Sequence, residues 1–406
     1  ILIKYALFYL LALACLAYGF VVGYAEIFPY QWIITVKDEI AFIKNDLTGG
    51  VERFLTPYGD YDPADYESVK SQNIPWQVPP LVRGNVSPPG NILLYGTFDF
   101  DPPAHAAVLL DENNSVRHVW RVNEDAVKGK LAQGMHVRDD AKKFPHGIDI
   151  LPDGSIIFAY DVGVSMQRFD ACNQPVWTTP GSFHHSLSVD AENSVIWALL
   201  DGASEHPESE EDNPDKAAWR YIAQLDLESG KIERRISLRE VIDANPEIDI
   251  LGIRQADKEE RSTWEADAFH ENDIEVLPSS IADAFPQFSA GDLLLSMRAL
   301  DLIMVLDPET KKVKWWRIGQ TRRQHDADWQ PSGVITAYNN NMHRGPISIV
   351  QIDPRNFDAK QLYNGKASGA KSNIRGRHQV LPNGSILITV PDQGRALEVT
   401  PDGRTT

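Results

Sequence analysis

The chain has 406 residues, 43% of them hydrophobic, and a formal charge of −18 from 39 basic and 57 acidic side chains. Its Lys and Arg are scattered rather than gathered into a stripe, which excludes a nucleic-acid binder, because a phosphate backbone demands a basic face. Two cysteines, Cys15 in an apolar run and Cys172 in a turn, exclude a disulfide framework and a C-x-x-C metal site.

Tyr5 to Ala25 is an uncharged apolar run, matching the ~20 residues that span a bilayer and exceeding the core of a secretory signal. It predicts a retained single-pass anchor within residues 1–25. Lys4 precedes the run while Glu26, Asp38 and Glu39 follow it. That bias places the chain in the inner (cytoplasmic) membrane with its large domain on the periplasmic, extracytoplasmic side. The sequence opens on Ile1 rather than methionine, so further residues are expected before it.

Residues 26–50 predict an amphipathic helix, with Ile33, Val36, Ile40, Ile43 and Leu47 at spacings of three and four and Gly49-Gly50 as its stop. The narrow seam from Ile33 to Leu47 would pack on its own domain, pair with a second copy, or dock a partner in a membrane complex. Residues 51–90, rich in Pro, Asp, Tyr and Ser, predict an extended linker.

From Asn91 the pattern changes to period two with turn punctuation. Segments at His146, Phe183, Phe269, Gln324 and Arg377 share one layout: a histidine, a short strand, a turn and a second strand. The turns carry Asp153-Gly154, Ser332-Gly333 and Asn383-Gly384, and several units close on an aromatic strand. A unit without the histidine fits Asn91 to Val122. Six repeats over residues 91–406 predict an all-β, six-bladed β-propeller of four-stranded blades. Polar insertions near Ser204 and from Asn245 belong on loops. The last unit stops at Pro401-Asp402-Gly403, before its closing strand, so either an N-terminal segment is expected to complete it or the chain is expected to run further.

In a propeller the first strand of each blade lines the central channel. His146, His184 or His185, His270, His325 and His378 should therefore meet at one end. The competing reading is that such a histidine ties neighbouring blades through hydrogen bonds to Asp or Ser, and His146, followed by Gly147 and Asp149, fits it well. In a regular strand Asn272 would share a face with His270. Arg298 interrupts the apolar DLLLSMRALDLIMVLD, and a guanidinium in such a strand requires an anion nearby. Imidazoles, an amide and a guanidinium at one mouth are donors aimed at an oxyanion. A histidine ring could also hold a transition metal, but Arg298 would repel a cation, so neither metal nor cofactor is expected.

FHENDIEVL (Phe269–Leu277), then SMRALDLI, then QHDADWQPSGVITAYNN resemble, in that order, motifs of the bacterial arylsulfate sulfotransferases. These are six-bladed propeller enzymes that move sulfuryl groups between phenols without a nucleotide donor. The resemblance runs from about Asn91 to the end. It implies an aryl sulfate donor, a phenolic acceptor and a sulfohistidine intermediate. It places the nucleophile on His325 and a second catalytic histidine, an acid and base, on His270. Arg298, Asn272 and His184 or His185 would hold the sulfuryl oxygens, with His146 and His378 lining the substrate site. Members of that family are soluble dimers with an N-terminal β domain and a disulfide, whereas this chain carries an anchor, a helix and a linker. The difference supports a second reading, a propeller serving as a non-catalytic accessory subunit or binding module of a membrane complex.

Overall fold

Short runs of β-branched, aromatic and leucine residues, broken every five to nine positions by turn chemistry, form strands β1 to β22. The computed structural model describes residues 90–98, 104–113, 115–121, 145–160, 165–202, 220–248, 269–342, 344–356 and 358–405. The expected anchor, amphipathic helix and all but the last residue of the linker lie outside the described residues. Among the described residues no helix is long and apolar enough to cross a membrane.

The strands form six antiparallel sheets in chain order. The first joins β1 (Ile92–Phe98), β2 (Ala104–Leu110) and β3 (Val116–Arg121). The second joins β4 (Pro145–Ile150), β5 (Ile156–Tyr160), β6 (Ser165–Phe169) and β7 (Pro175–Pro180). The third joins β8 (Ser182–Asp190), β9 (Val195–Asp201), β10 (Arg220–Asp226) and β11 (Ile232–Ser237). The fourth joins β12 (Glu271–Val276), β13 (Leu293–Met297), β14 (Leu302–Leu306) and β15 (Val313–Ile318). The fifth joins β16 (His325–Gln330), β17 (Val334–Asn339), β18 (Ser348–Ile352) and β19 (Ala359–Asn364). The sixth joins β20 (His378–Val380), β21 (Ile386–Val390) and β22 (Arg395–Val399), and Thr405 bridges back to Val399 as an outer strand would begin. This is an all-β six-bladed propeller.

Turn residues set the strand lengths. Asp111, Asp153, Asp170, Asp226, Asp307 and Asp353 each accept a backbone N–H two to four residues ahead, closing a tight turn on a short carboxylate. Ser237-Leu-Arg-Glu240, which the strand pattern does not foretell, is a capping box. Ser237 accepts from the Glu240 N–H and Glu240 from the Ser237 N–H, starting helix α1 (Leu238–Ala244) just before the insertion expected from Asn245.

The core lies between blades. Five apolar clusters occupy the five junctions from the first sheet to the sixth, such as Leu199, Ile222, Ile274, Leu295 and Met304 between the third and fourth. Leu294, Ile303, Trp329 and Ile335 fill the next junction, and the Trp329 indole donates to the Glu275 carbonyl at 3.2 Å. Sheets buried on both faces need near-continuous apolar strands, as β13 and β14 have.

Around the axis a second device joins the blades. Three inner strands, β8, β12 and β16, lend side-chain oxygens to N–H groups of the next: Ser186 to Ile274, Ser188 to Val276, Asp273 to Ala327, Glu275 to Trp329 and Asp326 to His378. Inner strands are edge strands, and this girdle satisfies donors that would otherwise be orphaned. Asp326 also accepts from His378 Nδ1 at 2.7 Å and Arg377 Nε at 3.1 Å. Asp326→Ala strands three donors at a buried position, so it should destabilise the propeller by about 3 kcal/mol. Asp326→Asn should cost less, and denaturant titration separates the two.

Candidate active site

Inner strands break their ladders at the histidine end. Bulges fall between Pro145 and Gly147, His184 and Leu187, Glu271 and Asp273, and His325 and Ala327. The residues left out of pairing are His146, His185 with Ser186, Asn272 and Asp326. The backbone turns left-handed at His185 (φ 56°), His270 (φ 46°) and Asp326 (φ 51°), a conformation that non-glycine residues hold only where their surroundings impose it. A bulge re-aims side chains, and here it turns imidazoles toward one another.

The His185 ring lies 4.5 Å from that of His146, 5.1 Å from His184 and 5.0 Å from His270, centroid to centroid. Adjacent residues in a regular strand face opposite ways, so only one of His184 and His185 was expected in the channel. The bulge brings both in, with 2.8 Å between their Nδ1 atoms. Gly147 permits the crowding, because a Cβ there would sit 2.3 Å from the His185 carbonyl oxygen. Behind His184, Nε2 faces Glu271 Oε1 at 3.6 Å, and Arg220 Nη1 reaches the same oxygen at 3.3 Å. Glu271 is 2% exposed and was not singled out from the sequence.

The regular strand assumed for His270 and Asn272 does not hold, since His270 precedes β12 in a left-handed conformation and the bulge at Asn272 interrupts the alternation. Its amide Nδ2 donates to the Gln324 carbonyl at 2.8 Å and so fixes the residue before His325. Its Oδ1 is buried without a hydrogen bond.

His325 is held at both nitrogens. Asn340 Nδ2 donates to the carbonyls of Ser372 and Arg375, which orients Oδ1 as the acceptor 2.7 Å from His325 Nδ1. Nδ1 therefore carries the proton and Nε2 the lone pair, which accepts the Arg375 N–H at 3.1 Å. Arg375 (φ 61°) and Gly376 (φ 128°) are both left-handed, and Gly376 lies against the Tyr338 ring, where a Cβ would be 2.3 Å away. Asn340 was missed as a site residue, although the Asn339-Asn340-Asn341 run after β17 was its signal. Arg298 lies not in a strand but in a single 3-10 turn, Arg298–Leu300, after β13. Its Nη2 is 3.4 Å from Met342 Sδ, and Arg322 Nε donates to the Met342 carbonyl.

Burial and then the charge of Arg298 hold His325 well below the usual imidazole range. Burial and then the other imidazoles, His146 first, do the same to His185. His146, His185, His270 and His325 thus share one electrostatic environment.

His378 stands apart. Its Nδ1 meets Asp326 and its Nε2 meets Thr336 Oγ1 at 2.8 Å, so it ties the fifth and sixth blades together, as the competing structural reading describes. Asp326, Asp328 and His378 could geometrically surround an ion, but both imidazole nitrogens are already spent. Nearby, a cavity of about 80 Å³ is lined by Asp149, Asp273, Glu275, Asp328, Ser188 and Arg377 from successive inner strands. Burial raises Asp149, Glu275 and Asp328, the last two well above the carboxylate range. Asp326 is held low, because hydrogen bonds from His378 and the Arg377 charge overcome its burial.

Two measurements test this arrangement. Burial, then the Asp326 charge, raises Asp273 to about 6, so the folded state keeps a proton that the unfolded chain has lost. That contribution is present below the unfolded value near 4 and vanishes as pH rises through about 6. Asp273→Asn should therefore gain stability relative to wild type across that window. Taking the difference isolates Asp273 from His185 and His325, whose lowered values act in the opposite sense. Gly147→Ala should separate His146 from His185 and lower any activity of the site at least about 10-fold, while leaving far-UV circular dichroism unchanged.

The description "Arylsulfotransferase (ASST)" belongs to a family model that matches residues 147–406. The search of curated proteins gives no match. Among solved structures, a Bacteroides caccae protein of unknown function aligns at 9% identity over 78% of this chain and 91% of its own, TM-score 0.48. Kuenenia stuttgartiensis hydrazine synthase aligns at 12% over 80% of each chain, TM-score 0.44. Staphylococcus aureus virginiamycin B lyase aligns at 11% over 66% and 70%, TM-score 0.40. These likenesses are too distant to carry weight for fold or chemistry. The family match spans well over half of the sequence and includes His184, His185, His270, Arg298 and His325: the chain belongs to the arylsulfotransferase family.

Proposed function

We propose that the protein moves a sulfuryl group from an aryl sulfate to a phenol through a sulfohistidine on His325. The observation that carries this reading is the state of that imidazole. It is buried, its proton is fixed on Nδ1 by Asn340, and the lone pair on Nε2 lies in the field of Arg298. Attack on sulfur needs a neutral ring with a directed lone pair.

In the first half-reaction Nε2 leaves the Arg375 N–H and bonds to sulfur. The S–O(aryl) bond breaks with its electron pair on oxygen, and His270 gives the phenolate a proton. Arg298 offsets charge on the sulfuryl oxygens, and the released Arg375 N–H lies beside them. In the second half-reaction His270 takes the proton of an acceptor phenol, whose oxygen attacks sulfur and returns His325 to its neutral form. His146, His184 and His185 form the imidazole wall of the pocket, and Asn272 acts by fixing the backbone before His325. His378 serves the fold. No step calls for a metal or organic cofactor. The apolar run from Tyr5 to Ala25 supports an inner-membrane anchor with the propeller outside the cytoplasm, and the seam from Ile33 to Leu47 supports docking to a second copy or a membrane partner.

Mixed with a chromogenic aryl sulfate, the protein should release a burst of phenol and gain ~80 Da on the peptide containing His325, with turnover dependent on added phenol. His325→Asn should abolish burst and adduct while the protein stays folded. Folded wild-type protein without burst or adduct between roughly pH 6 and 9 would overturn the enzyme reading in favour of an accessory subunit. Asn340→Leu frees the His325 tautomer and should lower kcat about 100-fold or more.

A further inference from the structure

The contact between His184 Nδ1 and His185 Nδ1, 2.8 Å long, constrains the site in a way that its assigned roles do not use. Two imidazole nitrogens at that distance share a single proton: one donates and the other accepts. The far nitrogen of His184 faces the carboxylate of Glu271 at 3.6 Å, which Arg220 also approaches. The His185 ring also packs against those of His146 and His270, at centroid distances of 4.5 and 5.0 Å. A buried carboxylate, two imidazoles and the imidazole of the acid–base residue thus stand in sequence, Glu271–His184–His185–His270, with a hydrogen bond at the His184–His185 link, a 3.6 Å approach at Glu271 and an edge-to-face ring contact at His270. The left-handed bulge at His185 makes the middle link.

We propose that this line is a proton relay, in which the His184–His185 pair holds the proton that His270 gives and takes, and Glu271 balances its charge. The inference rests on the sulfuryl-transfer reading and extends it to four residues acting together. At rest the relay holds one proton beyond those of the neutral imidazoles, carried as an imidazolium on His184 opposite the Glu271 carboxylate. When the S–O(aryl) bond breaks, the leaving phenolate takes a proton from His270, and His270 is refilled from His185 and His184. The sulfohistidine form is therefore one proton short in the relay. The acceptor phenol makes up that proton as its oxygen attacks sulfur, so atoms and charge balance over the two half-reactions. Glu271 lies behind His184 and acts as a positioning and charge-balancing residue, while His184, within the imidazole wall, holds the proton. The burial of Glu271 makes its charge effective, since opposite charges interact more strongly away from water.

A relay of this kind matters most for donors whose phenolate is a poor leaving group, because a weakly acidic phenol cannot depart without a proton. Its substrate class is therefore sulfate esters of ordinary, weakly acidic phenols rather than only activated nitrophenyl esters. The test is the dependence of the burst rate on leaving-group acidity across a series of aryl sulfates, from 4-nitrophenyl to unsubstituted phenyl sulfate. Glu271→Gln keeps the shape and the hydrogen-bond acceptor toward Arg220 but removes the charge. It should leave the 4-nitrophenyl burst within about 3-fold of wild type and slow the phenyl sulfate burst about 30-fold or more, steepening the series. Glu271→Asp should recover part of the loss, and His184→Asn should reproduce the steepening. Equal losses for every ester, or no loss, would overturn the relay. Wild-type protein with no burst at all would instead sink sulfuryl transfer itself, so the two failures are distinguishable. Thermal unfolding of each variant confirms that the comparison is made on folded protein.

Discussion

The structure depends on the side-chain girdle around its axis. Inner strands of a propeller have no sheet partner on their channel side, and their N–H groups need acceptors there. Ser186, Ser188, Asp273, Glu275 and Asp326 supply these across the gaps between blades. The third to sixth blades are thereby positioned by their neighbours to hydrogen-bond accuracy. Apolar packing between blades stabilises more in total but directs less, since it is non-directional. The registry of the imidazoles follows from the girdle.

Using carboxylates for that purpose has consequences for charge. Asp149, Asp273, Glu275, Asp326 and Asp328 are gathered where water is scarce, and Arg377 reaches into them to bond Asp326 and the Ile148 carbonyl. Asp326, with three donors, keeps its charge; Asp273, Glu275 and Asp328 are pushed toward the neutral acid. The acidic girdle and the imidazole cluster occupy neighbouring positions of the inner strands, one to three residues apart (His325 and Asp326, His146 and Asp149, His270 and Asp273), so the bulges do more than aim side chains. They separate a carboxylate-lined cavity from an imidazole-lined mouth.

The blade count, the strand order and the convergence of histidines were legible because period two, turn residues and a repeated His are local signals. The same arithmetic misled at the site. Alternation predicts that His184 and His185 diverge and that His270 and Asn272 agree; a bulge brings the first pair together, and another breaks the alternation on which the second rests. Nothing in FHHSLS or FHENDI marks the extra residue, because a bulge is fixed by the neighbouring blade rather than by its own sequence. The capping box at Ser237 and Glu240, ahead of the insertion from Asn245, went unread in the strand pattern, and Asn340 was visible only as part of an asparagine run. Glu271 and Arg375 had no sequence signal as site residues: one acts through a side chain behind His184, the other through its backbone N–H. His378 matched the histidine position of the other repeats, yet its partners are Asp326 and Thr336. Position in a repeat gives location, whereas partners give the role.

The state of His325 follows from the combination of burial with Arg298. A sulfate ester is an anion, so an ionised carboxylate would repel it, while an imidazolium would attract it but has no lone pair. A neutral imidazole beside a guanidinium resolves the conflict: the guanidinium draws the anion and disfavours a second positive charge on the ring. Asn340 then decides which nitrogen is free. On the proposed transfer a third group handles the phenol proton without charging His325, and the remaining imidazoles supply candidates, His270 against His185 and His184 against the Glu271 carboxylate. In that reading the nucleophile and the proton carriers, all imidazoles, differ in their charged neighbours: Arg298 beside His325 and Glu271 beside His184.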